Sequence, residues 1–338
     1  MTDSLGKVRS WFSGGSLFWP AVGLGLLFIF NAIFASGFLN IEVRDGHLYG
    51  AMIDIVHQGA KVMLLAIGMT LVIGSGGVDL SVGSIMAIAG AVAAAMVQAN
   101  IGLPAALLAA LGIACVAGLC NGLLVSVAGI QPIIATLILM VAGRGVAMLI
   151  TNGQILTFEN PGFVFLGNGH FLGLPFTLTV VLVTLALTLL LTRKTAIGLF
   201  LESLGDNERA ARYSGVPTRL IKTLVYVFSG LCAGIAGLIA ASNIKAADSS
   251  RVGEMLELDA IFAVVVGGTA LTGGRFTLLG SILGALLIQT LTTTMYNLGV
   301  PPSVAPVPKA IVILAVCLMQ SSKFREHLLA LAGRKATA

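Results

Sequence analysis

Charge is what this chain has least of. Asp, Glu, Lys and Arg make up 10% of its 338 residues, hydrophobic residues 57%, and mean hydropathy is +1.02. A pair of soluble domains, which the length alone would allow, is excluded by that balance, because soluble domains carry about 25% charged residues. Cysteine is also scarce. Cys115, Cys120, Cys232 and Cys317 all lie in apolar segments, with no CxxC pair and no histidine cluster beside them. They read as buried structural thiols, and no metal site is expected. The net charge of +5 comes without any basic patch interleaved with aromatics, so nucleic acid is not an expected partner. No G-x-x-x-x-G-K-[ST] phosphate loop occurs, and no soluble portion is large enough to hold one. The chain therefore neither hydrolyses ATP nor binds a cofactor of its own, and it is not read as an enzyme. Ionisable residues deep in the membrane, which ion-driven carriers use, are nearly missing: Arg144 is the one charge well inside a span. A stand-alone secondary carrier is thus the weaker reading, kept open by Asp79 and Arg144.

What the sequence does have is apolar runs of membrane length. They cover 17–36, 51–73, 83–98, 105–127, 133–151, 176–192, 220–241, 259–271, 277–298 and 309–320. The expected fold is an all-α polytopic membrane protein of about ten transmembrane helices, a single domain over 1–338, embedded in lipid. Lys7 and Arg9 precede the first run, which is too long for a signal-peptide core and reads as a retained span. Positive charges concentrate in the ends and in the loops on one side, among them Arg193, Lys194, Arg209, Arg212, Arg219, Lys222, Arg275 and Lys323. That asymmetry places both termini and these loops in the cytoplasm.

One long polar interruption stands out, residues 193–222, between spans six and seven. Within it a short helix is punctuated clearly. Asp206 or Asn207 serves as N-cap, Glu208 lies in the first turn, Gly215 stops the helix and Pro217 follows. Glu208 and Arg212 have the spacing of an intrahelical ion pair. Two turns do not hold in water unaided. A helix this short, showing Arg209, Arg212, Tyr213 and Ser214 beside small residues, is expected to plug into another protein. The bland alternative is a solvated connector. A faint repeat is also present: GGVDLSVGSIM (76–86) and GGRFTLLGSIL (273–283) share a glycine pair and Gly-Ser-Ile at an offset of 197 residues (273 − 76). Repeats of this kind are common in transporters.

Four segments then carry a resemblance. GMTLVIGSGGVDLSVGSIMAIAG (68–90), GLCNGLLVSVAGIQPIIATLILMVAGRGVAMLITNGQ (118–154), LGDNERAARYSGVPTRLIKTLVYVFSG (204–230) and AVVVGGTALTGGRFTLLGSILGALL (263–287) resemble the permease subunits of bacterial ABC sugar importers, the ribose, xylose and galactose group. Within that group the likeness runs nearest to galactofuranose importers, which use two non-identical permeases. A ribose- or xylose-type homodimeric permease is the alternative. The resemblance implies an inner-membrane importer of a monosaccharide with a second permease, a cytoplasmic ABC ATPase that uses the ATP, and a periplasmic sugar-binding protein. It also implies that Asp206, Asn207, Glu208, Arg209, Arg212, Tyr213, Ser214 and Gly215 form the coupling helix. Asp206 departs from relatives that have Gly before the Asn.

Candidate path residues follow from polarity in or near the spans. Asp79 either caps the helix starting near Leu80 or, with Ser81, lines the cytoplasmic exit. Asn121 is either interhelical glue or a polar group on the path. Arg144, costly in lipid, needs a protein partner or water. Asn152 and Gln154 stand where entering sugar would pass, or are ordinary loop polars.

Overall fold

The computed structural model describes residues 17–35, 37–44, 46–301 and 304–320. The charges of the two ends, Lys7, Arg9, Lys323, Arg325, Arg334 and Lys335, lie outside the described residues. The chain is mostly helical. In order come α1 (Phe18–Phe34), hairpin strands β1 (Glu42–Arg44) and β2 (His47–Tyr49), α2 (Ala51–Gly74), α3 (Val82–Gln98), α4 (Leu103–Ser126) and α5 (Pro132–Ile150). Strand β3 (Leu156–Thr157), α6 (Pro161–Asn168), β4 (His170–Phe171), β5 (Leu174–Pro175), α7 (Phe176–Lys194), α8 (Ala196–Asp206) and α9 (Glu208–Tyr213) follow. The chain continues with α10 (Thr218–Ile244), β6 (Ala246–Ala247), α11 (Leu256–Val266), α12 (Leu278–Asn297) and α13 (Pro306–Gln320).

Six helices are long and apolar enough to cross a membrane: α2, α4, α5, α7, α10 and α12. Shorter apolar helices are Phe18–Phe34, Val82–Gln98 and Pro306–Ala315. Burial sorts the six into two sets. Helices α2, α10 and α12 are buried along most of their length, whereas α4, α5 and α7 are buried over only about a quarter of theirs. The first set therefore forms the interior, and the second wraps it with an apolar outer face, as lipid requires. Helix α10 is the hub, packed on α4, α2 and α3, while α12 packs on α2 and α11.

Close approach explains the hub. A Cβ on Gly118 would overlap the Tyr226 carbonyl, and one on Gly122 would lie 2.8 Å from Thr223 Cα. Small residues let α4 and α10 touch backbone to backbone, where dispersion rather than water-driven burial holds helices together. The small-residue reading also corrects the cysteine expectation. Among the described cysteine side chains only Cys232, on α10, is buried; Cys115 is partly exposed and Cys120 exposed, because α4 turns that face outward. The side chain of Cys317 lies outside the described residues.

Two chain breaks interrupt the interior. One separates α2 from α3 (residues 75–81), the other α11 from α12 (residues 267–277). They coincide with the two echoing segments, and the corresponding glycines, Gly76 and Gly273, have matching φ of +81° and +87°. Left-handed backbone of that kind is open to glycine and strained for other residues. The polar stretch after α7 also holds more structure than its charge pattern announces: α8 precedes the short helix. The loop 151–175 likewise holds α6, capped by Asn160 through Phe163 N–H. Strands β3 and β6 pair antiparallel at Leu156–Ala247 and Thr157–Ala246, tying that loop to the end of α10.

Candidate coupling site and polar interior

The candidate coupling segment is built from two caps. Thr195 Oγ1 accepts from Ile197 N–H (3.2 Å) and opens α8; Asn207 Oδ1 accepts from Ala210 N–H (3.1 Å) and opens α9. Asn207, not Asp206, is thus the cap of the short helix, and Asp206 closes α8. Gly215, at φ +86°, ends the turn after it. Six residues make too short a helix to persist alone. Side chains anchor it: Glu208 pairs with Arg212 at 3.2 Å and with Lys222 of α10 at 2.6 Å. Burial alone would raise the Glu208 carboxyl. The bond to Lys222 and the charges of Lys222 and Arg212 outweigh it and hold that carboxyl below its usual range. Within α9 only Ala211 is buried; Arg209, Arg212, Tyr213 and Ser214 project, and Tyr213 is 92% exposed.

Behind this projection the backbone is packed without slack. A Cβ on Gly205, at the end of α8, would overlap Gly74 O and Gly274 N. Gly274 N–H donates to Gly74 O (3.0 Å), and a Cβ on Gly273 would lie 2.8 Å from Gly76 Cα and 3.0 Å from Gly205 O. One point on α8 therefore meets both interrupted helices at once. Any push on α8–α9 reaches the α2–α3 and α11–α12 breaks through backbone, without a compliant side chain between them.

Next to the first break lies a buried polar node. Asp79 is fully buried. Its carboxylate accepts from Ser81 N–H (3.0 Å), Ser81 Oγ (2.6 Å) and Ser229 Oγ of α10 (2.8 Å). Ser81 Oγ in turn accepts from Asn121 Nδ2 of α4 (2.8 Å). The structure thus brings Asp79, Ser81 and Asn121 together and fastens the start of α3 to α4 and α10. The Tyr226 hydroxyl and Asn121 Oδ1 are buried without a partner there.

The other candidates stand apart from that node. Arg144 Nη1 donates to Ser249 O (3.1 Å) and Val252 O (2.5 Å), closing the loop between β6 and α11 at the opposite end of the helices. Asn152 and Gln154 are exposed in the turn after α5. In the β6–α11 loop Asp248 accepts from Ser250 Oγ (2.6 Å), and this bond, assisted by backbone N–H groups and Arg251, holds its carboxyl low.

At the end remote from the coupling segment the structure opens a cavity of about 830 Å³ between α2, the start of α11, the end of α12 and the start of α13. Its polar lining includes Gln58, Lys61, Asp259, Gln289 and Lys309. None of these is among the path candidates, and the expectation that Arg144 is the one charge well inside a span is corrected here, since Lys61 lies ten residues into α2. Gln58 and Lys61 share a helix face, a legible spacing, but Asp259 and Lys309 meet across 50 residues and no local pattern links them.

Taken together, interior helices with polar breaks, an apolar outer face and a projecting charged helix define a polytopic helical membrane permease. The chain belongs to the family described as branched-chain amino acid transport system / permease component, which matches residues 51–318. It is 53% identical to the galactofuranose transporter permease protein YtfT of Escherichia coli K12 over 311 residues, 90% of this chain and 91% of the relative. It is 40% identical to the fructose import permease protein FruF of Bifidobacterium longum, over 91% of this chain and 88% of that one. The ribose import permease protein RbsC of Bacillus subtilis is 37% identical, over 90% and 92%. No solved structure matches the chain.

Proposed function

We propose that this chain is the permease subunit of an ATP-driven, binding-protein-dependent importer that carries galactofuranose across the bacterial inner membrane. It works as one domain over 1–338 with about ten spans and both termini in the cytoplasm. Its partners are a related but non-identical permease, a cytoplasmic ABC ATPase that binds and hydrolyses the ATP, and a periplasmic sugar-binding protein.

The observation that carries this reading is the seating of the projecting helix on both interior breaks, in a chain 53% identical to a galactofuranose permease. The engine lies in another chain, because no phosphate loop is encoded here. When the ATPase closes, it moves α9 through Arg209, Arg212 and Tyr213. The Asn207 cap and the Glu208–Lys222 pair keep α9 from unwinding under that load. Gly205 passes the motion to residues 74–77 and 273–274, shifting α2–α3 and α11–α12 between outward- and inward-facing arrangements, a two-state change of packed elements. Asp79, Ser81 and Asn121 act as the pin on which α3 turns against α4 and α10.

The test is uptake of labelled galactofuranose by proteoliposomes holding the two permeases and the ATPase. Uptake that requires both ATP and the binding protein is expected. Transport by this chain alone, or driven by a proton gradient without nucleotide, refutes it.

A further inference from the structure

The cavity remote from the coupling helix has the position and chemistry of a sugar site, and nothing in the coupling mechanism uses it. Lys61 lies ten residues into α2, which at 1.5 Å per residue puts it about 15 Å below the start of that helix. Gln289 lies eight residues above the end of α12, about 12 Å deep on the same rise. The cavity therefore runs from one membrane face to about the midplane of a ~30 Å hydrocarbon layer. Polar side chains at that depth are costly unless they meet water, each other or a solute.

Of the two cations in the cavity, Lys309 is paired with a carboxylate and Lys61 with a neutral amide. Lys309 Nζ binds both carboxylate oxygens of Asp259, at 3.0 and 2.9 Å, and Lys61 Nζ donates to Gln58 Oε1 at 3.0 Å. Over the whole lining the carboxylates of Asp54, Glu254 and Asp259 stand against the ammonium groups of Lys61 and Lys309, so the charges balance to within one and favour neither an anion nor a cation strongly. What remains is donors and acceptors without strong partners: the Gln58 amide nitrogen, the Gln289 amide, whose one bond to Thr293 is long at 3.5 Å, and the carboxylates of Asp54 and Glu254. Such a set suits a neutral, multiply hydroxylated solute, each hydroxyl of which both donates and accepts. The volume, about 830 Å³, lies in the range of small-molecule sites yet leaves room for water, as a weak transit site needs.

We propose that this cavity is the outward-facing sugar site of the permease, with Gln58, Gln289 and Asp54 contacting the hydroxyls and Lys61 and the Asp259–Lys309 pair fixing the walls. The proposal rests on the importer reading given above.

The test uses the complete reconstituted importer with sugar-loaded binding protein. Gln58→Leu with Gln289→Leu removes two hydrogen-bonding amides at nearly constant volume. Initial uptake is expected to fall about tenfold, on the order of what two such bonds are worth. Stimulation of the ATPase by loaded binding protein is expected to stay within about twofold of wild type, since the coupling contacts are untouched. Uptake by the double variant within twofold of wild type overturns the site. A second measurement removes the folding question. Gln289→Cys, shown to transport, is treated from outside with a charged, membrane-impermeant thiol reagent. Uptake is expected to stop in the variant and persist in treated wild type. A variant that stays unlabelled, or transports as before once labelled, overturns the proposal. Wild-type importer that moves a different monosaccharide instead refutes only the galactofuranose assignment, and the same variants are then read with that sugar. Wild type that moves no sugar under any condition refutes both.

Discussion

Replacing Asp79 separates two explanations of the buried node, hydrogen-bond fastening and charge on the path. Its carboxylate accepts from three donors, and the protein provides no other acceptor for the Ser81 N–H. In Asp79→Ala that N–H cannot rotate away and is left buried and unpaired, at a cost of about 1–3 kcal/mol. The Ser81 hydroxyl suffers likewise, because its oxygen is already held by Asn121 and its proton loses its acceptor. Ser229 escapes: on α10 its hydroxyl can turn to the carbonyl one turn back. Two orphaned donors give about 2–6 kcal/mol, before any contribution from the vacated volume. Asp79→Asn keeps one acceptor oxygen for Ser81, and its amide can donate to Ser229, whose hydroxyl reverses. That variant is expected to lose only about 1 kcal/mol. The assay is denaturant unfolding of the purified protein in detergent, paired with uptake by the reconstituted importer. The expected order is wild type, then Asn close behind, then Ala far below, with uptake in the Asn variant above half of wild type. If Asn unfolds as readily as Ala, or if Asn is fully stable yet uptake vanishes, the fastening argument fails and the carboxylate's charge is what matters.

Other consequences follow. Gly205→Leu forces α8 away from Gly74 and Gly274, so sugar moved per ATP hydrolysed is expected to fall at least fivefold while stimulated hydrolysis persists; parallel uptake and phosphate-release assays decide it. Gly118→Leu pushes a side chain into the Tyr226 backbone and is expected to destabilise the α4–α10 contact by about 1–3 kcal/mol, read as loss of folded protein in detergent. Acid acts on the coupling helix through Glu208, whose carboxyl is held low. Its stabilisation is complete above the ordinary glutamate value of about 4.3 and is lost as pH falls through the lower folded value. Proteolysis at Arg209 and Arg212 is therefore expected to be unchanged from pH 7 to 5 and to accelerate only below about pH 4. Acceleration already at pH 6 contradicts the pairing.

Much of the arrangement is legible from residue order alone, for physical reasons. Long apolar runs become helices because lipid leaves the backbone no other partner, and α2, α4, α5, α7, α10 and α12 fall on the expected runs. The short helix is readable because its cap, ion pair and glycine stop are all local, lying between Asn207 and Gly215. Helix α8 is equally local: Ile197, Phe200, Leu201 and Leu204 repeat at helical spacing after Thr195, but charge on either side obscures it. What no local pattern carries is convergence. That Gly205 meets Gly74 and Gly274, that Asp79 meets Ser229, and that Lys309 meets Asp259 all depend on tertiary packing over tens to hundreds of residues. The echo at 76 and 273 hinted at the paired breaks without showing that α8 touches both.

The central claim is that α9 receives work from an ATPase and hands it to the interior helices. Its most direct test is the double variant Arg212→Glu with Gly215→Pro, which reverses the exposed charge and removes the left-handed stop. In proteoliposomes with both permeases, the ATPase and loaded binding protein, the expected result is normal insertion and no ATP-linked uptake. Uptake at the wild-type rate in that variant would show that residues 206–215 only connect two spans.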